Sequence, residues 1–268
     1  MTARELILTH ILRCSRADLY IKGLHLNETQ QKIYDGIIRR IEAGEPLQYA
    51  LGECEFMGHS LKVDSRVLIP RPETELLVEI IVETLQTSEI FKSSRVGLDI
   101  GVGSGNITIG LLRSLAPLHM TGLDVSMPAL DLCRENLRRH DLEGSVNLIH
   151  GDVFVWLGQK YSDALKFSFM VSNPPYIKRA NLELLPADVK REPVLALDGG
   201  EDGLNFYVHI ISHVAHLLKP GGWIFFEIGE DQGKSLDNLL TMHGSFVNIS
   251  IIKDYNQKDR FVKAQLIL

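Results

Sequence analysis

Cysteine is scarce in this chain. Cys14, Cys54 and Cys133 are odd in number, far apart and in no C-x-x-C pattern, which argues against a disulfide framework or a zinc site, so no metal is expected. Each reads as a small buried hydrophobe. Long apolar runs are missing too: no stretch approaches the roughly 18–20 residues that a membrane span needs. The first residues, MTARELILTHILRCSRADLY, thread arginine and histidine through their apolar positions and lack a compact apolar core before a cleavage site. No signal peptide is expected, and the chain is placed in the cytoplasm. Positive charge is not in excess. With 28 Lys and Arg against 34 Asp and Glu the formal net charge is −6, which weighs against direct work on nucleic acid, whose partners usually carry a basic face. Internal repeats and low-complexity tracts are absent as well.

What is present suits one α/β domain with a small appendage: 268 residues, 45% apolar and 23% charged. The N-terminal part, about 1–48, predicts a small helical bundle. Asn27 with Gln30 fits a capping box, Ile33, Ile37 and Ile41 recur every fourth residue, Gly44 and Pro46 supply a stop, and Ser15-x-x-Asp18 fits the start of another short helix. Residues 49–70 change to short apolar alternation around Gly58-His59, the pattern of a β-hairpin connector. From 71 to 268 the expectation is a doubly wound, mostly parallel sheet. Arg71-Pro72-Glu73 opens a helix with an apolar face of Leu76, Leu77, Ile80, Ile81 and Leu85. The runs RVGLDI, HMTGLDV, VNLIHGD, FSFMVSN and GGWIFFEIG then alternate with helices, and FVNISIIKDYNQKDRFVKAQLIL predicts a closing antiparallel pair. Residues 177–202 carry no convincing periodicity and read as either a binding wall, a lid or a long connector.

Two motifs carry the chemistry. Asp99-Ile100-Gly101-Val102-Gly103-Ser104-Gly105 falls where the first strand meets a helix, the nucleotide position of a doubly wound sheet. Glycine there lets the backbone turn tightly and approach a ligand. A pyrophosphate and the amino-acid end of S-adenosylmethionine both remain possible, but an acid two residues before the first glycine suits a ligand ammonium. Asp124, ending the second strand, suits ribose hydroxyls, and Asp152, followed by Val153, ends the third beside an adenine position. The second motif, Asn173-Pro174-Pro175-Tyr176, closes a strand expected to lie beside the first. The prolines have no N–H and a fixed φ, so with the Asn side-chain oxygen the segment presents acceptors on a stiff frame, and Tyr176 offers a flat ring. That arrangement suits a planar NH₂ group of an adenine, a cytosine or a glutamine. Such a nitrogen is a weak nucleophile that needs positioning and support for developing positive charge rather than a strong base.

Beyond these motifs, PLQYALGECEFMGHSLKVDSRVLIPRPETE (46–75), REPVLALDGGEDGLNFY (191–207) and LKPGGWIFFEIGEDQG (218–233) extend a resemblance over nearly the whole chain. It resembles the release factor glutamine methyltransferases, the HemK/PrmC family. The resemblance implies methyl transfer from S-adenosylmethionine to the side-chain amide of the glutamine in a Gly-Gly-Gln motif. Gly101, Val102, Gly103, Ser104, Gly105, Asp124, Asp152 and Val153 would hold the cofactor, and Asn173 would contact cofactor and substrate. Pro174, Pro175 and Tyr176 would complete the glutamine pocket, with Asn173, Pro174 and Tyr176 as the catalytic set. The helical N-terminal region would dock the release factor, and a monomer is expected. Val102 stands where threonine is common in the family, and Val153 where some members carry tryptophan, which puts an aromatic contact to adenine in doubt. A ribosomal protein glutamine, a nucleic-acid base and a non-catalytic adapter are the alternatives.

Overall fold

The computed structural model describes residues 2–21, 25–159 and 166–267. Four helices lead the chain: α1 (Ala3–Leu12), α2 (Arg16–Ile21), α3 (Glu28–Glu42) and α4 (Leu47–Leu51). The Asn27–Gln30 capping box forms, with side chains and backbones satisfied reciprocally. Ser15 and Asp18 make the same exchange before α2. Ile7, Ile37 and Ala50 are the buried centre of this bundle, and Ile41 packs on them. Ile33 does not join them: it is half exposed. Three buried residues make a thin core, as expected of helices this short.

Strands β1 (Glu53–Phe56) and β2 (His59–Lys62) form the hairpin. Its turn is Met57-Gly58, one residue earlier than the sequence pattern suggested. Both residues have positive φ, 49° and 73°, which matches the right-handed twist of the flanking strands. Met57 N–H donates to Glu75 (2.7 Å) on α5 (Pro72–Thr87), which holds the hairpin against the larger domain. Helix α5 buries Leu77, Val78, Ile80, Ile81 and Leu85, close to the face predicted from its spacing. Short α6 (Glu89–Ser93) follows it.

The sheet then builds as β3 (Val96–Ile100), α7 (Asn106–Ser114), β4 (His119–Asp124), α8 (Met127–Arg139), β5 (Val146–His150), α9 (Val153–Trp156) and β6 (Phe167–Ser172). It is completed by α10 (Asn205–Val214), β7 (Leu218–Glu227), α11 (Gly233–His243), β8 (Phe246–Lys253) and β9 (Asp259–Leu266). Strand order is β5-β4-β3-β6-β7-β9-β8, parallel through β7, with β9 antiparallel to β7 and to β8. The expected mostly parallel sheet is therefore present, with one large apolar cluster on each face. Helix α11 had no counterpart in the sequence reading. Segment 177–202 is not structureless: Ile177 bridges to Asp198, Arg179 N–H donates to Gly200 O, and three short 3₁₀ turns fill the excursion.

One buried amide joins the hairpin to the glycine loop. Asn136 of α8 accepts from Lys62 N–H (2.7 Å) and donates to Lys62 O and Ser104 O (3.0 and 2.9 Å). It is fully buried, and a hydrocarbon side chain there leaves three backbone groups without partners. Asn136→Leu is expected to lower stability by about 1–3 kcal/mol per orphaned group that water cannot reach. Chemical denaturation measures it; an unchanged midpoint refutes the role.

Candidate active site

The right-handed βαβ crossings put β3 and β6 side by side, so the loops that leave their C-terminal ends share one crevice. Ser172 Oγ donates to Ile100 O (2.7 Å), locking those ends together just before Asn173 and Gly101. Between them lies a cavity of about 280 Å³, lined on one side by the glycine loop and on the other by Asn173, Pro174 and Pro175.

The glycine loop folds on itself. Gly101, Gly103 and Gly105 take φ of 76°, 53° and 83°, values that strain any residue with a Cβ. A Cβ on Gly105 would stand 2.8 Å from the Cys133 sulfur. The N–H groups of Gly101 and Val102 donate to Leu123 O (2.8 and 3.1 Å), Gly103 N–H donates to Asp124 Oδ2 (2.9 Å), and Gly105 N–H donates to Val102 O (2.8 Å). Four of the donors that would cradle a pyrophosphate are thus already committed, and the ring of acids argues further against an anion. Val102 turns its side chain into the core, so the lack of a hydroxyl there costs the loop no contact among the bonds described.

Two carboxylates flank the loop. Asp99 is buried; Thr108 donates to its Oδ2 (2.7 Å), and Oδ1 has no partner among the described residues. Burial pushes its carboxyl up to about 7, with Asp124 adding repulsion against the Thr108 bond. An ammonium group is the partner such an orphaned oxygen lacks. Asp124 lines the cavity; burial raises it as well, while N–H groups of Ser126, Gly103 and Val125 favour its charged form. Asp152 is exposed, lines the cavity wall and caps α9 by accepting from Phe154 N–H (2.9 Å).

At the same wall Val153 is buried, and two aromatics that the sequence reading missed line the cavity. Phe154 and Phe206 meet with ring centroids 5.0 Å apart. They supply the aromatic surface that Val153 lacks. Their signal in the sequence was weak, since Phe206 lies in a helix 52 residues further along the chain than Phe154. Arg71, rather than Glu73, is the member of the R-P-E stretch that lines the cavity. It pairs with buried Glu192 (2.5 Å), whose other oxygen accepts from Ile69 N–H (2.9 Å), so the connector and the 177–202 segment are fastened at the cavity edge.

The tetrapeptide divides. Asn173, Pro174 and Pro175 line the cavity, whereas Tyr176 packs its ring on the second apolar cluster, and burial pushes its phenol up to about 12. The structure does not bring Tyr176 to the cavity wall with the other three. Its carbonyl accepts from Gln232 Nε2 (3.2 Å), anchoring the segment from behind. Behind Asn173 stands Glu227, fully buried and absent from the set of residues read from sequence.

The Asp99 environment sets a pH dependence. Its folded value, about 7, lies above the ordinary carboxylate range, so the stability associated with its neutral form is complete at low pH and is lost as pH rises through 7. In the ligand-free protein, Asp99→Asn is expected to be progressively more stable relative to wild type between about pH 5 and pH 8. Urea midpoints at both ends check this; a constant difference between the two proteins contradicts it.

Comparison with known proteins agrees with this geometry. Residues 73–187 match the methyltransferase small domain and residues 2–52 the PrmC N-terminal domain. A release factor glutamine methyltransferase of Moorella thermoacetica is 42% identical over 83% of this chain and 76% of its own length. Those of Clostridium acetobutylicum and Aquifex aeolicus are 35% and 37% identical, covering 98% and 97% of this chain and 90% and 89% of theirs. Among solved structures, the human Mettl16 catalytic domain in complex with a 3′UTR hairpin superposes with a TM-score of 0.60 at 18% identity, over 83% of this chain and 79% of that one. A human methyltransferase 10 domain containing protein gives 0.53 at 18%, over 79% and 90%. At these identities the two structures speak for the fold alone. The curated relatives match both the N-terminal helices and the catalytic sheet, and by that full-length similarity the chain belongs to the release factor glutamine methyltransferase family.

Proposed function

We propose that the protein methylates the side-chain amide nitrogen of the glutamine in the Gly-Gly-Gln motif of peptide-chain release factors, giving N5-methylglutamine. The observation that carries this reading is the half-buried Asn173, set on a proline frame across one cavity from a glycine loop with four of its N–H groups already committed.

The cofactor is S-adenosylmethionine, and the residues present suit it. Asp124 matches its ribose hydroxyls and the wall of Asp152, Val153, Phe154 and Phe206 its adenine, while Asp99, whose orphaned oxygen is buried outside the cavity lining, favours its ammonium group from behind the wall rather than by contact. When bound it supplies an electrophilic methyl group on a sulfonium. Gly101, Val102, Gly103 and buried Ser104 shape the wall on that side, whereas Gly105 lies outside the lining and packs toward Cys133. On the other side, Asn173 Oδ1 and the Pro174 carbonyl accept the two amide protons of the glutamine and orient its nitrogen. As positive charge grows on that nitrogen both bonds strengthen, which is where the rate acceleration arises. The apolar walls exclude water, and the extra proton leaves after transfer, so no residue has to be a strong base. Pro175 stiffens the frame, and Tyr176 acts by holding it from the core side.

The helical N-terminal region, 1–48, with the 49–70 hairpin as connector and 71–268 as the methyltransferase domain, would dock the release factor. Among the described residues no helix is long and apolar enough to cross a membrane. A monomer in the cytoplasm, acting on protein rather than directly on nucleic acid, completes the reading. Incubation with methyl-labelled cofactor and, separately, a release factor, the ribosomal protein substrate of the sibling enzymes, and duplex DNA or RNA tests it. Label on a release factor glutamine is expected; label on the ribosomal protein or a nucleic acid alone overturns the assignment.

A further inference from the structure

Strand β7 ends in a glutamate where its pattern, Ile224-Phe225-Phe226-Glu227, calls for another apolar residue. Glu227 is 1% exposed, in a strand buried on both faces. A carboxylate in such a place costs several kcal/mol unless something repays it, and a hydrocarbon of the same size packs better. Register explains where it points. Ser172 of β6 pairs with Phe226 of β7, so the next residues along the two parallel strands, Asn173 and Glu227, stand opposite each other. The Asn173 side chain lies beside the Glu227 carboxylate and favours its charged form, as a donor does, without a direct hydrogen bond between the two among the described residues. Thr74, 1% exposed near the start of α5, donates its hydroxyl to Glu227 Oε2 (2.7 Å). Tyr207 donates to the Glu227 backbone carbonyl (2.7 Å), which fixes the main chain at the same point.

We propose that Glu227, held by Thr74, is a positioning residue that selects one orientation of the Asn173 amide, turning Nδ2 inward and leaving Oδ1 as the acceptor that faces the cavity. The two ends of an asparagine amide are nearly the same size, and an amide free to flip offers its NH₂ to the substrate half the time. An NH₂ facing the NH₂ of a glutamine repels it. An ionised carboxylate accepts and cannot donate, so it pairs with Nδ2 alone. Thr74 occupies the other oxygen with a donor, which favours the ionised form and keeps the carboxylate from turning.

Other charges meet at this point. Arg260 from β9 favours the ionised state; Glu73 beside Thr74 opposes it, and burial, the largest influence, pushes the carboxyl up to about 7. Arg71, Glu73 and Arg260 also surround the neighbouring Tyr176 phenol. Protonated Glu227 becomes a donor and pairs with Oδ1 instead, reversing the amide. The inference rests on the proposed glutamine methylation for its kinetic arm and is independent of it for its spectroscopic arm.

The test uses the full-length protein. In Glu227→Gln the residue at 227 can donate as well as accept, so selection is lost. A fall in kcat of roughly 10- to 100-fold is expected, with affinity for S-adenosylhomocysteine within about twofold of wild type. The wild-type rate should rise with pH through about 7, and in Glu227→Gln that rise should vanish. Thr74→Val should move the rise to higher pH, and Thr74→Ser should restore it. Independently of turnover, the side-chain NH₂ resonance of Asn173 should shift with pH in the wild type and stay constant in Glu227→Gln. If Glu227→Gln does not fold, Thr74→Val and Thr74→Ser read the same pH shift. A Glu227→Gln rate within twofold of wild type, an unchanged pH profile, or an Asn173 resonance that ignores pH in the wild type overturns the proposal. Absence of methyl transfer by the wild type counts against the glutamine reading alone, and the resonance then decides the clamp.

Discussion

Asn173→Ala is expected to lower kcat for methyl transfer by on the order of 10²–10³-fold while cofactor affinity changes only a few-fold. The separation follows from how the cavity is divided. In the proposed arrangement cofactor contacts are spread over the cavity-lining part of the glycine loop, Asp124 and the Phe154–Phe206 wall, so losing one contact on the far side takes away a small share of them. Support for the charge that grows on the amide nitrogen is concentrated in few acceptors. The Pro174 carbonyl alone leaves one N–H without a partner in a site that excludes water, and the nitrogen free to rotate. Single-turnover transfer measures the rate, and calorimetry with S-adenosylhomocysteine the affinity. A rate within tenfold of wild type excludes the proposed role, and loss of both quantities together assigns Asn173 to cofactor binding instead.

Gly199→Ala is expected to lower kcat by about 10²-fold without touching a ligand. Its Cα packs against the back of the tetrapeptide, and an added Cβ would lie 2.8 Å from the Pro175 carbonyl oxygen and 2.8 Å from the Tyr176 backbone. Those atoms are main chain on a proline frame, so they have no rotamer to yield with. Gly199 N–H also donates to Ile177 O (2.8 Å), which prevents the glycine strand from backing away. The tetrapeptide therefore moves toward the cavity, and displacement of reacting groups by about 1 Å costs rate steeply. Stability should fall by a further 1–3 kcal/mol, the usual cost of overpacking. A variant with a normal rate shows that the 177–202 segment is soft enough to absorb the methyl group and is not a rigid wall.

Much of this was legible along the chain. Glycine at three positive-φ positions, acids at strand ends and an asparagine before two prolines are local features, and each turned up at the crevice where the strand order reverses. The face of α5 and the capping of α2 and α3 were equally local, because period and cap chemistry act within a few residues. Errors arose where a neighbour decides. Ile33 fits the stripe of α3 yet stays half exposed and outside the bundle's buried cluster among the described residues, and the hairpin turn moved to Met57-Gly58 because strand twist selects the pair of residues with positive φ. Tyr176, whose flat ring suggested a cavity wall, packs instead against the apolar cluster on that face of the sheet.

Residue types and spacing pointed to a planar amino group and a nucleotide-like ligand on a mostly parallel sheet, and the family resemblance named that ligand as a methyl donor. Those conclusions need only short-range rules, since a glycine, a proline or a strand-end acid carries its meaning wherever the chain goes. Folding decided which distant residues complete the site. Thr74 and Glu227 are separated by 153 positions, with Asn173 between them in the chain, and the three come together because β6 and β7 pair in one register while α5 packs on β7. Nothing in a linear sequence states that register. It is set by burial of both faces of the sheet, and the hydrogen bond from Thr74 that holds Glu227 beside the asparagine gains its strength only after that burial has removed water from around it.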